Sequence, residues 1–256
     1  LEPPSGLPSR NILDLAREKG VVAITDCGVA PGMSNMILGH YNDIMTVHSF
    51  RCYVGGLPRA RTLPYEYKAP FSPVDVVEEY TRPARLMEGG EVVVKPPMSE
   101  PELLEFSGIG TLEAFNTDGL RTLVKTMEVP AMAEKTLRYP GHIEKMQLLA
   151  DTGFLSADPV RMKDTAVKPV DLACKLLFPL WKLGPKEEEF TVMRLIIKGE
   201  EDGTPVTVTC NMSDSYDKTT GVSSMARTTG YACTAAARLV LEGNYTRTGI
   251  SPPEFV

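Results

Sequence analysis

Residues 21–32 read VVAITDCGVAPG. The first five are a β-branched run of the kind that forms a buried parallel strand, because branched side chains pack well on a pleated surface enclosed on both faces. Before them, residues 11–19 (NILDLAREK) space Ile12, Leu13, Leu15 and Ala16 along one helical face, and Gly20 stops the helix. Helix, glycine, buried strand is half of a βαβ rhythm and places the chain in the α/β class. In open α/β sheets, ligands bind beyond the carboxyl ends of the strands, where Asp26 and Cys27 stand. Read alone, Asp26 and Gly28 serve equally as ordinary turn residues.

Outward from this stretch, Pro31 to Asn35 opens a helix that reaches about Tyr41. A strand follows at residues 45–54 and ends at Gly55-Gly56-Leu57-Pro58. Residues 57–73 are proline-rich and irregular, with Tyr65 and Tyr67, and long ordered loops of this sort are often functional. Ser72-Pro73, a cap and a first-turn proline, starts a helix to Thr81. The pattern then predicts a short strand at 92–94, one helical turn at 101–104 and a short helix at 118–125. A strand at 135–139 is broken by Pro140-Gly141, and helices follow at 142–152 and 169–180. Residues 190–198 and 205–211 are β-rich runs around the turn GEEDGT, which reads as a hairpin and makes the sheet partly antiparallel. Residues 223–241 form a long Ala-rich helix. The expected architecture is the end of a Rossmann-like domain at residues 1–27, then a mixed α/β domain with a partly antiparallel sheet at residues 28–256.

Composition narrows the function. Lys and Arg number 27 against 33 Asp and Glu, a net charge of -6, so the basic stripe that a nucleic-acid surface needs is missing. No apolar run is long enough to span a membrane, and the first residues, LEPPSG, are not a secretory signal. The five cysteines are scattered without a CxxC pair, and there are three histidines. That pattern reads as reduced thiols in a cytoplasmic protein without a metal site.

Two further segments carry chemistry. Arg138-Tyr139-Pro140-Gly141-His142 sets a cation, a phenol and an imidazole at a strand-to-helix turn. Arg suits bidentate capture of a carboxylate, and His suits proton relay. An ordinary turn with a solvated His explains the segment equally well. Residues 224–230, SMARTTG, open the last long helix, whose amides are either an anion seat or simply capped. No G-x-G-x-x-G, the phosphate cradle of a dinucleotide site, occurs in the chain.

Six segments in order, DCGVAPG (26–32), GGLP (55–58), YK followed by FSP (67–73), TLRYPGH (136–142), SMARTTGY (224–231) and GISPPE (249–254), resemble the saccharopine dehydrogenase family. That family includes saccharopine reductases and lysine 6-dehydrogenases. The resemblance implies a preceding nucleotide-binding half, a second domain that supplies the substrate pocket and a homodimer contact, and NAD or NADP as cofactor held mainly outside this chain. Ser34 and Asn35 stand where saccharopine reductases tend to carry Asp-His, and Ala69-Pro70-Phe71 interrupts the YK…SP segment. Both departures lean away from saccharopine as substrate, and the DCG-x-APG-x-SN form looks more like the lysine 6-dehydrogenase type. By position in these motifs, the resemblance implies a small amino-acid substrate held by Arg138, through its carboxylate, and by Asn35, Tyr67, Asp118 and Tyr139. Asp26, Cys27 and His142 would handle protons, and Gly28, Met225 and Thr229 would lie toward the cofactor.

Overall fold

The computed structural model describes residues 12–256. In chain order these form helix α1 (Ile12–Glu18), strand β1 (Val22–Ile24), helix α2 (Met33–Ile44), strand β2 (Thr46–Pro58) and helix α3 (Pro73–Thr81). Two hairpins follow, β3 (Ala84–Glu88) with β4 (Glu91–Lys95), and β5 (Glu102–Phe106) with β6 (Gly110–Asn116). Then come a single helical turn α4 (Leu123–Thr126), strand β7 (Ala131–Arg138), helix α5 (His142–Asp151) and the short pair β8 (Val160–Met162) and β9 (Thr165–Val167). The chain ends with helix α6 (Pro169–Trp181), hairpin β10 (Glu189–Glu201) and β11 (Thr204–Ser215), helix α7 (Ser224–Leu241), strand β12 (Gly249–Ser251) and a closing 3₁₀ turn (Pro253–Phe255). None of these helices is long and apolar enough to cross a membrane.

Contacts divide the described residues into two compact units. The first joins the residues up to Ile44 with those from Thr229 onward. Its sheet is β1 paired in parallel with β12. α2 packs directly on the closing turn: a Cβ on Gly39 would fall 2.0 Å from the Glu254 carbonyl oxygen, so only glycine permits this approach. Asn35 reinforces it by donating from Nδ2 to the Glu254 carboxylate at 3.0 Å. The partners of β1 and α2 in this unit thus lie near the other end of the chain, at residues 249–255.

The second unit, Met45 to Thr228, is built on an eight-stranded sheet in the order β11-β10-β2-β7-β3-β4, with β5 and β6 branching off β7. β2 and β7 are parallel and every other pair is antiparallel. The sheet is thus mixed, as an α/β chain with a strong hairpin requires. That hairpin turns on Asp202 and Gly203, both at positive φ (49° and 75°), the geometry whose twist matches flanking strands. β10 is buried on both faces over its first residues, whereas the edge strand β11 alternates. Helices α3, α5 and α6 cover one face of the sheet around Val76, Tyr80, Ile143, Met146, Leu177 and Trp181. A second core, with Tyr53, Leu112, Leu137 and Phe190, forms on the other face.

Four expectations are corrected. Gly55-Gly56-Leu57-Pro58 does not end β2 but lies within it. A Cβ on Gly55 would sit 2.7 Å from the Leu137 carbonyl oxygen and one on Gly56 2.6 Å from the Pro70 ring, so these glycines mark close approaches, of β7 at Gly55 and of the Pro70 and Met225 side chains at Gly56, rather than a stop. Residues 102–106 are a strand, not a helical turn, because they pair with β6 from Glu102↔Ala114 to Phe106↔Gly110. The helix expected at 118–125 is only the four residues of α4. β1 is half-buried rather than enclosed.

Candidate functional site

Strand alternation puts Glu134, Thr136 and Arg138 on the helix-covered face of β7, with Lys135 and Leu137 on the other. Arg138 is 1% exposed. Its guanidinium donates from Nη1 to the Leu137 carbonyl at 2.9 Å, from Nε to the Tyr80 hydroxyl at 3.0 Å, and from Nη2 to the Glu79 carboxylate. Its carbon lies 4.3 Å from the centre of the Tyr67 ring, a cation–π stack. Burial opposes the Arg138 charge, but the neighbouring Tyr67, Tyr80 and Glu79 prevail and hold the group above its ordinary range. Glu79 is moved up by burial against the pull of Arg138. Its side chain is 24% exposed, so water screens part of that effect.

The chain of hydrogen bonds continues from Tyr80. Pro140-Gly141 reverses the backbone, with Gly141 at φ 85°, and delivers His142 as the first residue of α5. His142 Nδ1 is 2.9 Å from the Tyr65 carbonyl and Nε2 is 2.9 Å from the Tyr80 hydroxyl. A carbonyl only accepts, so Nδ1 carries the proton and Nε2 accepts from Tyr80. Tyr80 in turn accepts from Arg138, which fixes the direction of every bond. Burial, then the Arg138 charge, pushes His142 down to about 3, and burial pushes Tyr80 up to about 12. Both are neutral at physiological pH.

Tyr67 and Trp181 close the cluster. The Tyr67 ring centre is 5.1 Å from that of His142 and 5.8 Å from that of Trp181. Both side chains are buried, and neither Tyr67 Oη nor Trp181 Nε1 has a hydrogen-bond partner. An orphaned buried polar group costs about 1–3 kcal/mol, so two in one aromatic box call for an acceptor.

Glu134, on the same face, accepts from Thr117 Oγ1 at 2.6 Å, and Thr117 also bonds Thr136 at 2.9 Å. Burial moves Glu134 up to about 7.

Of the residues singled out in the sequence, the structure brings Arg138, His142 and Tyr67 together. Asp118 lies apart, held bidentately by Arg85 at 2.8 Å and 2.8 Å. Tyr139 points to the opposite core and donates to the Pro58 carbonyl at 2.9 Å. Met225 is pressed on Gly56, where a Cβ would lie 2.5 Å from its methyl. The remaining residues belong to the first unit. Asn35 is buried, with its Oδ1 accepting from Gly32 N at 3.3 Å and Ser34 Oγ at 3.1 Å. Asp26 has φ 53°. The Cys27 thiol is pushed up by burial first, then by Cys233 and Asp26. A Cβ on Gly28 would lie 3.9 Å from the Thr229 methyl. Glu79, Tyr80, Trp181 and Glu134 carry no motif. Tyr80 was open to detection, because Val76, Val77 and Tyr80 share the buried side of the Ser72-Pro73 helix.

The loop before α2 does not fit a dinucleotide pyrophosphate. Its amides serve its own chain: Gly28 N donates to Pro31 O, Met33 N to Gly28 O and Ser34 N to Val29 O. The α7 amides of Ser224 and Met225 are likewise taken by the Glu189 carboxylate, which answers the choice between anion seat and cap in favour of the cap.

A saccharopine dehydrogenase (L-Glu forming) from Saccharomyces cerevisiae shares this fold with a TM-score of 0.73 at 21% identity, covering 93% of this chain and 69% of the yeast chain. A homospermidine synthase from Legionella pneumophila, solved in complex with NAD, superposes with a TM-score of 0.51 at 10% identity, covering 96% of this chain and 55% of that one. At these identities the likeness is one of fold. The family profile of the saccharopine dehydrogenase C-terminal domain matches residues 28–256, and this chain belongs to that family.

Proposed function

We propose that this chain is the substrate-binding part of an NAD(P)-dependent amino-acid dehydrogenase of the lysine 6-dehydrogenase type. The observation that carries the reading is the pair of unpartnered buried donors, Tyr67 Oη and Trp181 Nε1, beside the charged Arg138. A substrate carboxylate supplies the acceptors both donors lack, in a dry site where Arg138 favours negative charge. Arg138 spends three of its five N–H donors on Tyr80, Leu137 and Glu79, which leaves one on each terminal nitrogen for that carboxylate. It also holds Tyr80 and Tyr67 in place. His142 and Tyr80 enter as neutral hydrogen-bonding groups that orient the substrate and keep water ordered.

The proposed reaction is oxidation at an amine-bearing carbon, followed by hydrolysis of the imine or, from lysine, its cyclisation. The nicotinamide nucleotide supplies the oxidant, and its phosphates are held by residues other than the α2 and α7 termini. Ser34-Asn35 after the Pro-Gly supports the lysine reading over a saccharopine or carboxynorspermidine reductase. A homodimer in the cytoplasm is part of the same proposal. The full-length protein, assayed with lysine and with saccharopine, each with NAD and NADP, tests it. Lysine-dependent reduction of the nucleotide is the expected result. Turnover of saccharopine alone favours the reductase, and turnover of neither leaves a non-catalytic module.

A further inference from the structure

The eight-stranded sheet ends in two outer strands, β11 and β4. β11 carries Pro205, which has no N–H to offer a neighbouring strand. β4 carries no proline. It reads Glu91-Val92-Val93-Val94-Lys95, with Val92 49% and Val94 62% exposed. Among the described residues, β3 is the only strand paired with it.

The β3–β4 hairpin fixes which backbone groups of β4 are spare. Gly89 and Gly90, at positive φ (60° and 85°), make a two-residue turn closed by the pair Glu88↔Glu91. The closing pair exchanges both of its hydrogen bonds, and the pattern alternates from there. Glu91, Val93 and Lys95 therefore turn their N–H and C=O toward β3, and Val92 and Val94 turn theirs outward. The side chains leave a second need. Glu88 and Glu91 stand directly opposite, a like-charge pair that is unfavourable across strands. Lys95 holds Glu88 at 2.6 Å and Glu100 at 2.5 Å, and the third N–H of its ammonium remains. Glu91 has no ion pair among the described residues.

A second β4 laid antiparallel, with Val93 opposite Val93, answers both needs. Val92 of each copy faces Val94 of the other, and the outward N–H and C=O groups bond one another. Glu91 of each copy faces Lys95 of the other, on the closely spaced pairs where side chains approach best. The same patch serves both copies, so the contact closes at two.

We propose that β4 is a self-association edge, at which two copies of the protein join antiparallel about Val93 into one continuous sheet. This rests on the homodimer of the proposed function and names the surface that makes it; it does not depend on the substrate.

Sedimentation of the full-length protein across a concentration series tests it. Five residues make a small interface, so the expected dimer is a reversible one. Val92→Pro removes an outward N–H and no bond to β3. Glu91→Lys sets like charges across the two copies while giving Glu88 an opposite charge within one. Each raises the dimer dissociation constant at least roughly tenfold, with circular dichroism unchanged. The register has its own readout. Closely spaced antiparallel pairs hold their Cα atoms about 4.5 Å apart, within disulfide reach. Val93→Cys, treated with oxidised glutathione, therefore cross-links to its own copy through position 93, and Val94→Cys does not. A monomer at every concentration overturns the proposal together with the homodimer. A dimer indifferent to both Val92→Pro and Glu91→Lys, or cross-linked equally well through position 94, overturns this edge alone.

Discussion

Tyr80 donates its hydroxyl proton to Nε2 of His142 across 2.9 Å, and this single bond settles the tautomer of a histidine buried beside an arginine. The imidazole depends on staying neutral, which has a thermodynamic signature. His142 is pushed down to about 3 from an ordinary 6.5, so its contribution to stability is present above pH 6.5 and is lost as pH falls toward 3. The loss amounts to roughly 5 kcal/mol by linkage. Urea titrations of the wild type between pH 3 and 6.5 should show this slope, and His142→Gln should flatten it. A slope unchanged in the variant would place the proton uptake elsewhere.

Glu134 has the opposite sign. Its carboxyl is raised from 4.5 to about 7, so the stability it confers is complete below pH 4.5 and is lost as pH rises through 7. Glu134→Gln keeps an acceptor for Thr117 and removes the charge. Above pH 7 the variant is expected to be more stable than wild type by about 3 kcal/mol, with no difference below pH 4.5. Denaturation midpoints at the two ends of this range decide it.

Arg138→Ala strips the partner from Glu79 and from the Tyr80 hydroxyl. Breaking a buried pair from one side costs about 3–5 kcal/mol, reduced here because Glu79 is 24% exposed. Arg138→Ala combined with Glu79→Ala should lose less than the sum of the single losses. Strict additivity in a double-mutant cycle would mean that the two groups do not interact.

Tyr67→Phe separates a structural hydroxyl from one that serves a ligand. Removing an unpartnered buried hydroxyl should leave the fold as stable or up to about 1 kcal/mol more so. Under the proposed function, the same change in the full-length protein should raise KM, because the substrate loses a donor. A stability loss with unaltered KM would assign Tyr67 to packing alone.

Gly55→Ala forces a methyl to within 2.7 Å of the Leu137 carbonyl oxygen. Thermal unfolding should show a loss of about 1–3 kcal/mol, the usual result of overpacking a tight core. An unchanged midpoint would mean that β2 and β7 separate easily.

The hairpin of β10 and β11 was legible because its evidence is local: period-two burial on the edge strand and an Asp-Gly turn. β5 was not, since Glu-Leu-Leu-Glu favours helix by itself and only pairing with β6 overrides that preference. Gly55 and Gly56 read as punctuation for the same reason: the groups that require them arrive from elsewhere in the chain, the Leu137 backbone of β7 at Gly55 and the Pro70 and Met225 side chains at Gly56. The site divided in a similar way. Arg138, His142 and Tyr67 announced themselves through motifs, whereas Glu79 and Tyr80 lie 59 and 58 residues before Arg138 and reach it only once α3 packs on β7. A hydrogen bond spanning that separation leaves no periodic trace.

The pairing of β1 with β12 has a consequence for synthesis of the protein. Among the described residues, β12 is the only strand paired with β1, and it is translated after every residue of the second unit. While the ribosome adds the intervening residues, Val22 to Ile24 must wait without that neighbour. Closing so long a loop carries an entropic cost that only the finished contacts offset. A nascent chain stopped before Gly249 therefore lacks the β1–β12 ladder although every strand of the eight-stranded sheet has already been made.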